Sequence, residues 1–326
     1  MVTTTIQTYR QIGIREDLSD EINDISPMET PFYSRVRKGK PAKNRYIEWQ
    51  TDSLPTATGS AQAAEGADAA YITFSPTTRL RNYTQINVKA LLASGTANAV
   101  NLAGREEELA YQIAKYGRAL KRDIEVALTN NRASSAGTSA AARASASFEA
   151  WITTNDSRGS GGAQGGYTAA GTVTIATDAS STNQRTFTET RLKSVIRLCW
   201  AAGGQPSTVM VGPVNKQKAS AFSGITTKYS DFGNNPASPG GLAIVAAADI
   251  YLSDFGKLQI VPNRFSRERS ALIIDWEYWS MHWLRPMFVK KLADTGDSEK
   301  RMMIGEWTLK SGNEAASGII ADLLTT

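Results

Sequence analysis

The feature that most constrains this chain is a long ribbon with almost nothing of its own to bury. Tyr46-Ile47-Glu48-Trp49-Gln50 has the aromatic and β-branched content of a strand. Residues 52–70 are then rich in Ala, Gly, Ser and Thr and carry Glu65 and Asp68. The return strand is expected where Ile86, Val88 and Ala90 alternate with Gln85, Asn87 and Lys89, a period of two. Residues 46–92 therefore read as a two-stranded excursion around an exposed loop. An isolated hairpin is marginal in water, so one of this length needs another surface to lie on.

What precedes the ribbon is equally short of core. Residues 1–34 read as a polar arm. Leu18, Ile22 and Ile25 recur at spacings of four and three on one face of a short helix. Such a helix is too short to hold alone and must dock on its own body or a neighbour. Ser26-Pro27 and Thr30-Pro31 then break the helix and start an extended path. A basic run follows, Arg35, Arg37, Lys38, Lys40, Lys43 and Arg45, with turn chemistry at Lys38-Gly39-Lys40-Pro41. It reads as a solvated turn between strands or as a patch for acidic groups of a neighbour or nucleic acid.

The strongest helix signal spans residues 105–130. Leu109, Ile113, Tyr116, Leu120, Ile124 and Leu128 recur every three or four residues. Glu106, Glu107 and Glu108 sit in the first turn, where negative charge suits the helix dipole. Arg118, Lys121, Arg122 and Glu125 are expected on the solvent side. Residues 133–147, rich in Ala and Ser, and 156–172, rich in Gly, Ser and Ala, read as loops or flexible links.

From Phe187 the pattern is mixed α/β. Leu192, Val195, Ile196 and Cys199 stripe a helix that stops at Gly203-Gly204. Strands are expected at Thr208–Val211, Ile250–Leu252, Leu258–Val261 and Ala271–Ile274, with a second helix from Asn215 to Phe222. Arg301 to Lys310 and a last apolar strand around Ile319-Ile320 close the chain, with Asp294, Asp297 and Glu299 in a polar turn before them.

Composition narrows the function. The 326 residues are 41% hydrophobic and 21% charged, enough for a sizeable core and against global disorder. One cysteine, Cys199, excludes an internal disulfide, and a reducing cytoplasm is the expected place of synthesis. One histidine, His282, excludes the usual multi-histidine zinc sites. Both read as packed structural residues. There is no GxGxxG, no GxxxxGK[ST] and no GxSxG, so a hydrolase on the α/β unit is nearly excluded. The expectation is no catalytic, cofactor-binding or metal-binding residue. Met1 to Ile12 has no apolar stretch, and the run Leu242 to Ala248 is too short for a bilayer, so neither a secretory signal nor a membrane anchor is expected. The net charge of +5 permits contact with nucleic acid without requiring it. A soluble nucleic-acid-binding module would interleave basic residues with aromatics, which here gather at 276–283 instead.

Several segments, in order, resemble a known family. Gly13-Ile14-Arg15-Glu16-Asp17-Leu18-Ser19-Asp20, then Ile25-Ser26-Pro27 and Thr30-Pro31-Phe32, look like the start of a tailed-bacteriophage major capsid protein. Gly203-Gly204-Gln205-Pro206, Gly212-Pro213 with Lys216, Tyr251 to Gly256, Val261-Pro262-Asn263-Arg264 and Leu292 to Lys300 agree. The resemblance covers nearly the whole chain and implies an α+β Hong Kong 97-type fold. It maps an N-terminal arm to 1–45, an extended hairpin loop to 46–95 and a peripheral domain with a long spine helix to 96–187. An axial α/β domain follows at 188–275, and 276–326 returns to the peripheral domain with the C-terminal strand.

The resemblance also implies a function and partners. Copies of the chain would form hexamers and pentamers of an icosahedral shell around double-stranded DNA, with a portal and scaffolding or decoration proteins. The expected place is the virion, assembled in the host bacterial cytoplasm. No scaffolding-type extension is seen ahead of the arm, and no Lys–Asn crosslinking pair is identified. The alternative is an encapsulin-like shell around cargo enzymes. The inter-subunit candidates are Leu18, Ile22, Pro31 and Phe32 on the arm, with Arg35, Arg37, Lys38 and Lys40 opposite Glu65 and Asp68.

Overall fold

The computed structural model describes residues 26–57, 59, 62–66, 68, 71–74, 76–100, 107–168, 171–222 and 250–325. In chain order the elements begin with α1 (Pro31–Arg35), β1 (Arg37–Lys38), β2 (Tyr46–Thr51), β3 (Thr78–Tyr83) and β4 (Gln85–Ser94). Next come α2 (Gly95–Ala99), α3 (Glu108–Thr129), α4 (Phe148–Trp151), β5 (Asp156–Ser157), β6 (Gly166–Tyr167) and β7 (Val173–Thr174). The mixed part holds α5 (Glu189–Ala201), β8 (Thr208–Val211), α6 (Pro213–Ser220), β9 (Ile250–Ser253), β10 (Gly256–Pro262) and β11 (Ala271–Ile274). Two long strands, β12 (Trp279–Lys291) and β13 (Ser298–Ser311), lead to β14 (Gly318–Ile320).

Two sheets organise these elements. The axial sheet has the order β5-β14-β11-β8-β10-β9. Its central strands are buried on both faces, which suits their unbroken apolar runs. Successive side chains on a strand point to opposite faces, and this alternation serves two cores. Val209, Val211, Ala271 and Ile273 pack with Leu192, Val195, Ile196 and Cys199 of α5. Met210, Leu272 and Ile274 pack on the other side with Ile124 and Leu128 of α3, Phe148 of α4 and Phe32 of α1. The C-terminal strand does not return to the peripheral part. Ile319 and Ile320 are both apolar, and β14 lies inside the axial sheet between β5 and β11, where both faces are covered.

The peripheral sheet has the order β1-β12-β13-β4, with α3 against one face. The helix runs close to its expected length and buries Leu109, Leu120, Ile124 and Leu128. The ribbon departs from expectation. β2 pairs with β3, residues 78–83, whereas the segment holding Ile86, Val88 and Ala90 pairs with β13. The chain changes partner at Thr84, whose hydroxyl donates to Arg45 O at 3.0 Å or to Glu306 Oε1 at 2.7 Å. The polarity of β4 is also inverted. Asn87 Oδ1 accepts from Trp307 Nε1 at 3.0 Å, and Lys89 meets Asp123 of α3 at 2.7 Å. Ile86 and Val88 face solvent.

Both small-residue tracts are packed in part. In the Ala/Ser tract, Ser145, Ala146 and Ser147 are buried, and Asn82 at the ribbon root donates to Ser145 Oγ at 3.1 Å and accepts from Ala146 N–H at 3.0 Å. Small side chains let these backbones approach. In the Gly-rich tract, Gly159 N–H donates to Asp322 Oδ2 at 2.9 Å, and a Cβ on Gly162 would collide with that carboxylate. Asp322 Oδ1 also accepts from Ala179 N–H at 2.8 Å and Arg269 Nη2 at 3.2 Å. To reach them Asp322 adopts φ 58°, a left-handed conformation uncommon for a residue other than glycine.

This separates backbone shape from charge. Asp322→Gly suits the left-handed backbone better but strands two backbone donors and removes the ion pair to Arg269, and is expected to destabilise the subunit by on the order of 3 kcal/mol. Denaturant unfolding of the unassembled chain checks it; an unchanged or raised stability would show that the carboxylate contributes nothing.

Candidate assembly surfaces

The base of the arm is built into its own subunit. Pro31 suits the first position of a helix, where no N–H is needed, so the expected extended path becomes the single turn α1. A five-residue helix cannot satisfy its own first donors. Glu125 of α3 does so from outside: Phe32 N–H donates to Oε1 at 2.8 Å and Tyr33 N–H to Oε2 at 2.7 Å. Asn263, just after β10, adds a third bond at 2.7 Å. Glu125 is therefore fully buried, not on the solvent side as expected. Phe32 is corrected as well. Its ring lies edge-on to Trp276 at 5.2 Å and Phe148 at 6.0 Å and is fully buried, so it has no surface to offer a neighbour.

The other predicted contact residues divide. Leu18 and Ile22 lie outside the described residues. Pro31 is half-buried, and Arg35, Lys38 and Lys40 are exposed. The basic run is not simply a turn: Arg37 and Lys38 form β1, parallel to β12 at Ser280 and Met281. Arg37 Nη1 donates to Glu277 O at 2.9 Å, which anchors it within the chain. His282 fixes the next stretch, with Nδ1 2.8 Å from Lys40 O and Nε2 2.9 Å from Ser280 Oγ. Its ring fills the space a Cβ on Gly39 would need. Glu65 and Asp68 are exposed on the ribbon loop, and among the described residues no ion pair joins them to the basic run.

Sequence reasoning missed two exposed apolar areas, which are further candidates for assembly. On the loop Tyr71 is 97% exposed, Ile72 81% and Phe74 92%, three large side chains within four residues that together suit an interaction site. The cluster Tyr71-Ile72-Thr73-Phe74 stands out against its Ala/Gly surroundings and was the available signal. On the helix-free face of the peripheral sheet, Ile86, Val88, Leu92 and Phe288 form a second exposed apolar area. The register joins Val88, Ile304 and Phe288 across β4, β13 and β12. The ribbon root between them is held: Trp49 packs on Trp151 at 5.4 Å, and Tyr167 Oη donates to Arg79 O at 2.8 Å.

The residues with latent chemistry are engaged structurally. Cys199 is buried beneath the axial sheet, and burial pushes its thiol up to about 12. Burial lowers the His282 imidazole below its usual range. No group of three or more His, Cys, Asp or Glu residues suited to a metal ion occurs among the described residues. No helix among them is long and apolar enough to cross a membrane.

Known proteins share this architecture. The family model described as the SU10 major capsid protein matches residues 1–324. A major capsid protein of Escherichia phage Phieco32 is 27% identical over 345 residues, covering 97% of this chain and 96% of that one. The capsid asymmetric unit of cyanophage A-1(L) superposes with a TM-score of 0.65 at 11% identity, over 96% of this chain and 98% of that one. The holo-SrpI encapsulin complex of Synechococcus elongatus PCC 7942 gives 0.56 at 10% identity, over 98% and 95%. Identities this low speak to the fold alone.

The arm base yields two expectations. Phe32→Ala should cost about 3–5 kcal/mol in the unassembled subunit; a loss seen only in assembled material would instead make Phe32 an inter-subunit contact. Burial holds the Glu125 carboxyl above its ordinary 4.5, against the pull of its three donors. The folded chain then keeps a proton that the unfolded chain has lost, so this group's contribution falls as pH rises through that window. Unfolding at a series of pH values should show wild-type stability declining relative to Glu125→Gln from pH 4.5 upward; parallel curves would contradict this.

Proposed function

The chain belongs to the SU10 major capsid protein family, and on that premise we propose that its copies close through hexamers and pentamers into an icosahedral shell around double-stranded DNA. It is a major capsid protein of a tailed phage, a structural role. The observation that carries the assembly reading is the pair of unfinished apolar surfaces on one subunit: the loop cluster Tyr71, Ile72 and Phe74, and the bare sheet face of Ile86, Val88 and Phe288. A loop on one copy covering the sheet face of the next gives a head-to-tail contact, and such contacts close into rings. Buried aromatic anchors dominate interfaces of this kind, each costing on the order of 2 kcal/mol when truncated.

Charge fits the same arrangement. Arg35, Lys38 and Lys40 are exposed beside the sheet, and Glu65 and Asp68 are exposed on the loop that would cross it. Arg37 joins them with whatever its Glu277 bond leaves free. Leu18, Ile22 and Pro31 extend the contact along the arm. A portal, and scaffolding or decoration proteins, complete the particle, which assembles in the host bacterial cytoplasm. The reading assigns the chain no reaction, since Cys199 and His282 are both committed to packing. The likeness to the encapsulin is one of fold, whereas the family match favours the capsid reading over the cargo-enclosing alternative.

Tyr71→Ser/Ile72→Ser/Phe74→Ser tests the apolar contact. The expected outcome is a folded subunit with unchanged melting that no longer closes shells in electron micrographs; normal shells would refute the contact. Arg37→Glu/Lys38→Glu should weaken assembly, and adding Glu65→Lys/Asp68→Lys should restore it. Particles indifferent to the first pair would dispose of the charge pairing.

A further inference from the structure

The solvent face of α3 carries one sign of charge. Lys115, Arg118 and Lys121 are exposed and Arg122 is half-buried with its guanidinium 5.1 Å above the ring of Phe265. At 3.6 residues per turn these four fall within an arc of about 120° on the side away from Ile124 and Leu120. Arg264, exposed beside Phe265, adds a fifth cation from the axial part. None of the five forms an ion pair among the described residues. The acids that could neutralise them are engaged elsewhere: Asp123 is held by Lys89, and Glu125 is buried under α1. Glu107 and Glu108 lie at the far N-terminal end.

Ala114 lies between the cations, Phe265 is already covered by Arg122, Tyr111 one turn before Lys115 is half-buried, and Tyr116 lies about 100° round the helix from Lys115. Single-stranded nucleic acid is held by aromatic stacking, and base edges are read by side chains that enter a groove. Among the described residues the stripe offers no free aromatic platform, since Phe265 is occupied by Arg122 and Tyr111 is half-buried. A row of flexible cations without anchors suits the phosphates of a duplex, whose contacts position without reading sequence.

We propose that the stripe of Lys115, Arg118, Lys121, Arg122 and Arg264 is the surface on which the shell bears against the phosphate backbone of double-stranded DNA. It rests on the reading that the shell encloses DNA, and it assigns that contact to one helix face.

The test is salt dependence. Each phosphate neutralised contributes about 0.9 to the slope of log affinity against log salt. Purified full-length chain is titrated with a short duplex by fluorescence anisotropy, from about 50 to about 200 mM salt. Lys115→Gln/Arg118→Gln/Lys121→Gln replaces exposed residues with another good helix former, and should lower the slope by about 2 to 3. A control on the axial part, Lys193→Gln/Arg197→Gln/Lys257→Gln, should leave it unchanged. Equal slopes in wild type and stripe variant, an equal loss in the control, or no duplex binding by wild type at the lowest salt would each overturn the proposal. So would a stripe variant that keeps its slope but cannot close shells, which would make the stripe a subunit contact. Whether shells hold DNA at all is read separately, from the nucleic acid content of native particles, so the two readings fail independently.

Discussion

Three parts of this chain meet at one carboxylate. Glu125 projects from α3, takes the first free N–H groups of α1 and is steadied by Asn263 from the axial part. A buried ion is costly by several kcal/mol unless its acceptors are satisfied, so the arrangement is self-enforcing: withdrawing any one element strands the charge. The helix dipole of α1, short as it is, has its positive end on the same oxygens. Through this point the arm base, the long helix and the axial sheet hold fixed relative positions, and Phe32 seals the junction with Phe148 and Trp276.

The parts of the fold legible from sequence were those whose local pattern has one reading. The three- and four-residue spacing from Leu109 to Leu128 could only be a helix, and α3 ends within a few residues of the expected limits. The short β-branched and apolar runs at Thr208–Val211 and Ala271–Ile274, bounded by turn signals, suit buried strands, which they form. The parts not legible depend on distant partners. Alternation from Gln85 to Ala90 marks a strand but not its neighbour, and the polar side turned inward because Trp307 and Asp123 wait there. Glu125 looked solvent-facing because its three donors come from residues more than ninety positions away. The glycines at 159–162 looked flexible because Asp322, around which they fold, lies at the other end of the chain.

Of the residues proposed for assembly, the exposure of the charged ones was legible and the burial of the apolar ones was not. Exposed Arg35, Lys38, Lys40, Glu65 and Asp68 follow from residue type alone. The apolar contributors do not, since Phe32 and Phe74 are alike in sequence and opposite in fate: one is sealed in the core, the other 92% exposed. What separates them is three-dimensional. Phe32 has a body within reach, whereas Phe74 sits on a loop that reaches past its own.

That loop has a mechanical character. Its root is clamped, Trp49 against Trp151 and Tyr167 against Arg79, while the described residues between Thr51 and Thr78 are all exposed beyond the clamp. A beam fixed at one end delivers any load on its free end as a bending moment at the support. Here the support includes Trp151, a member of the same packed cluster as Ile124, Leu272 and Trp279. A push on one molecule's outstretched finger is therefore felt as torque in its centre, and a lattice of such molecules shares its stresses from tile to tile.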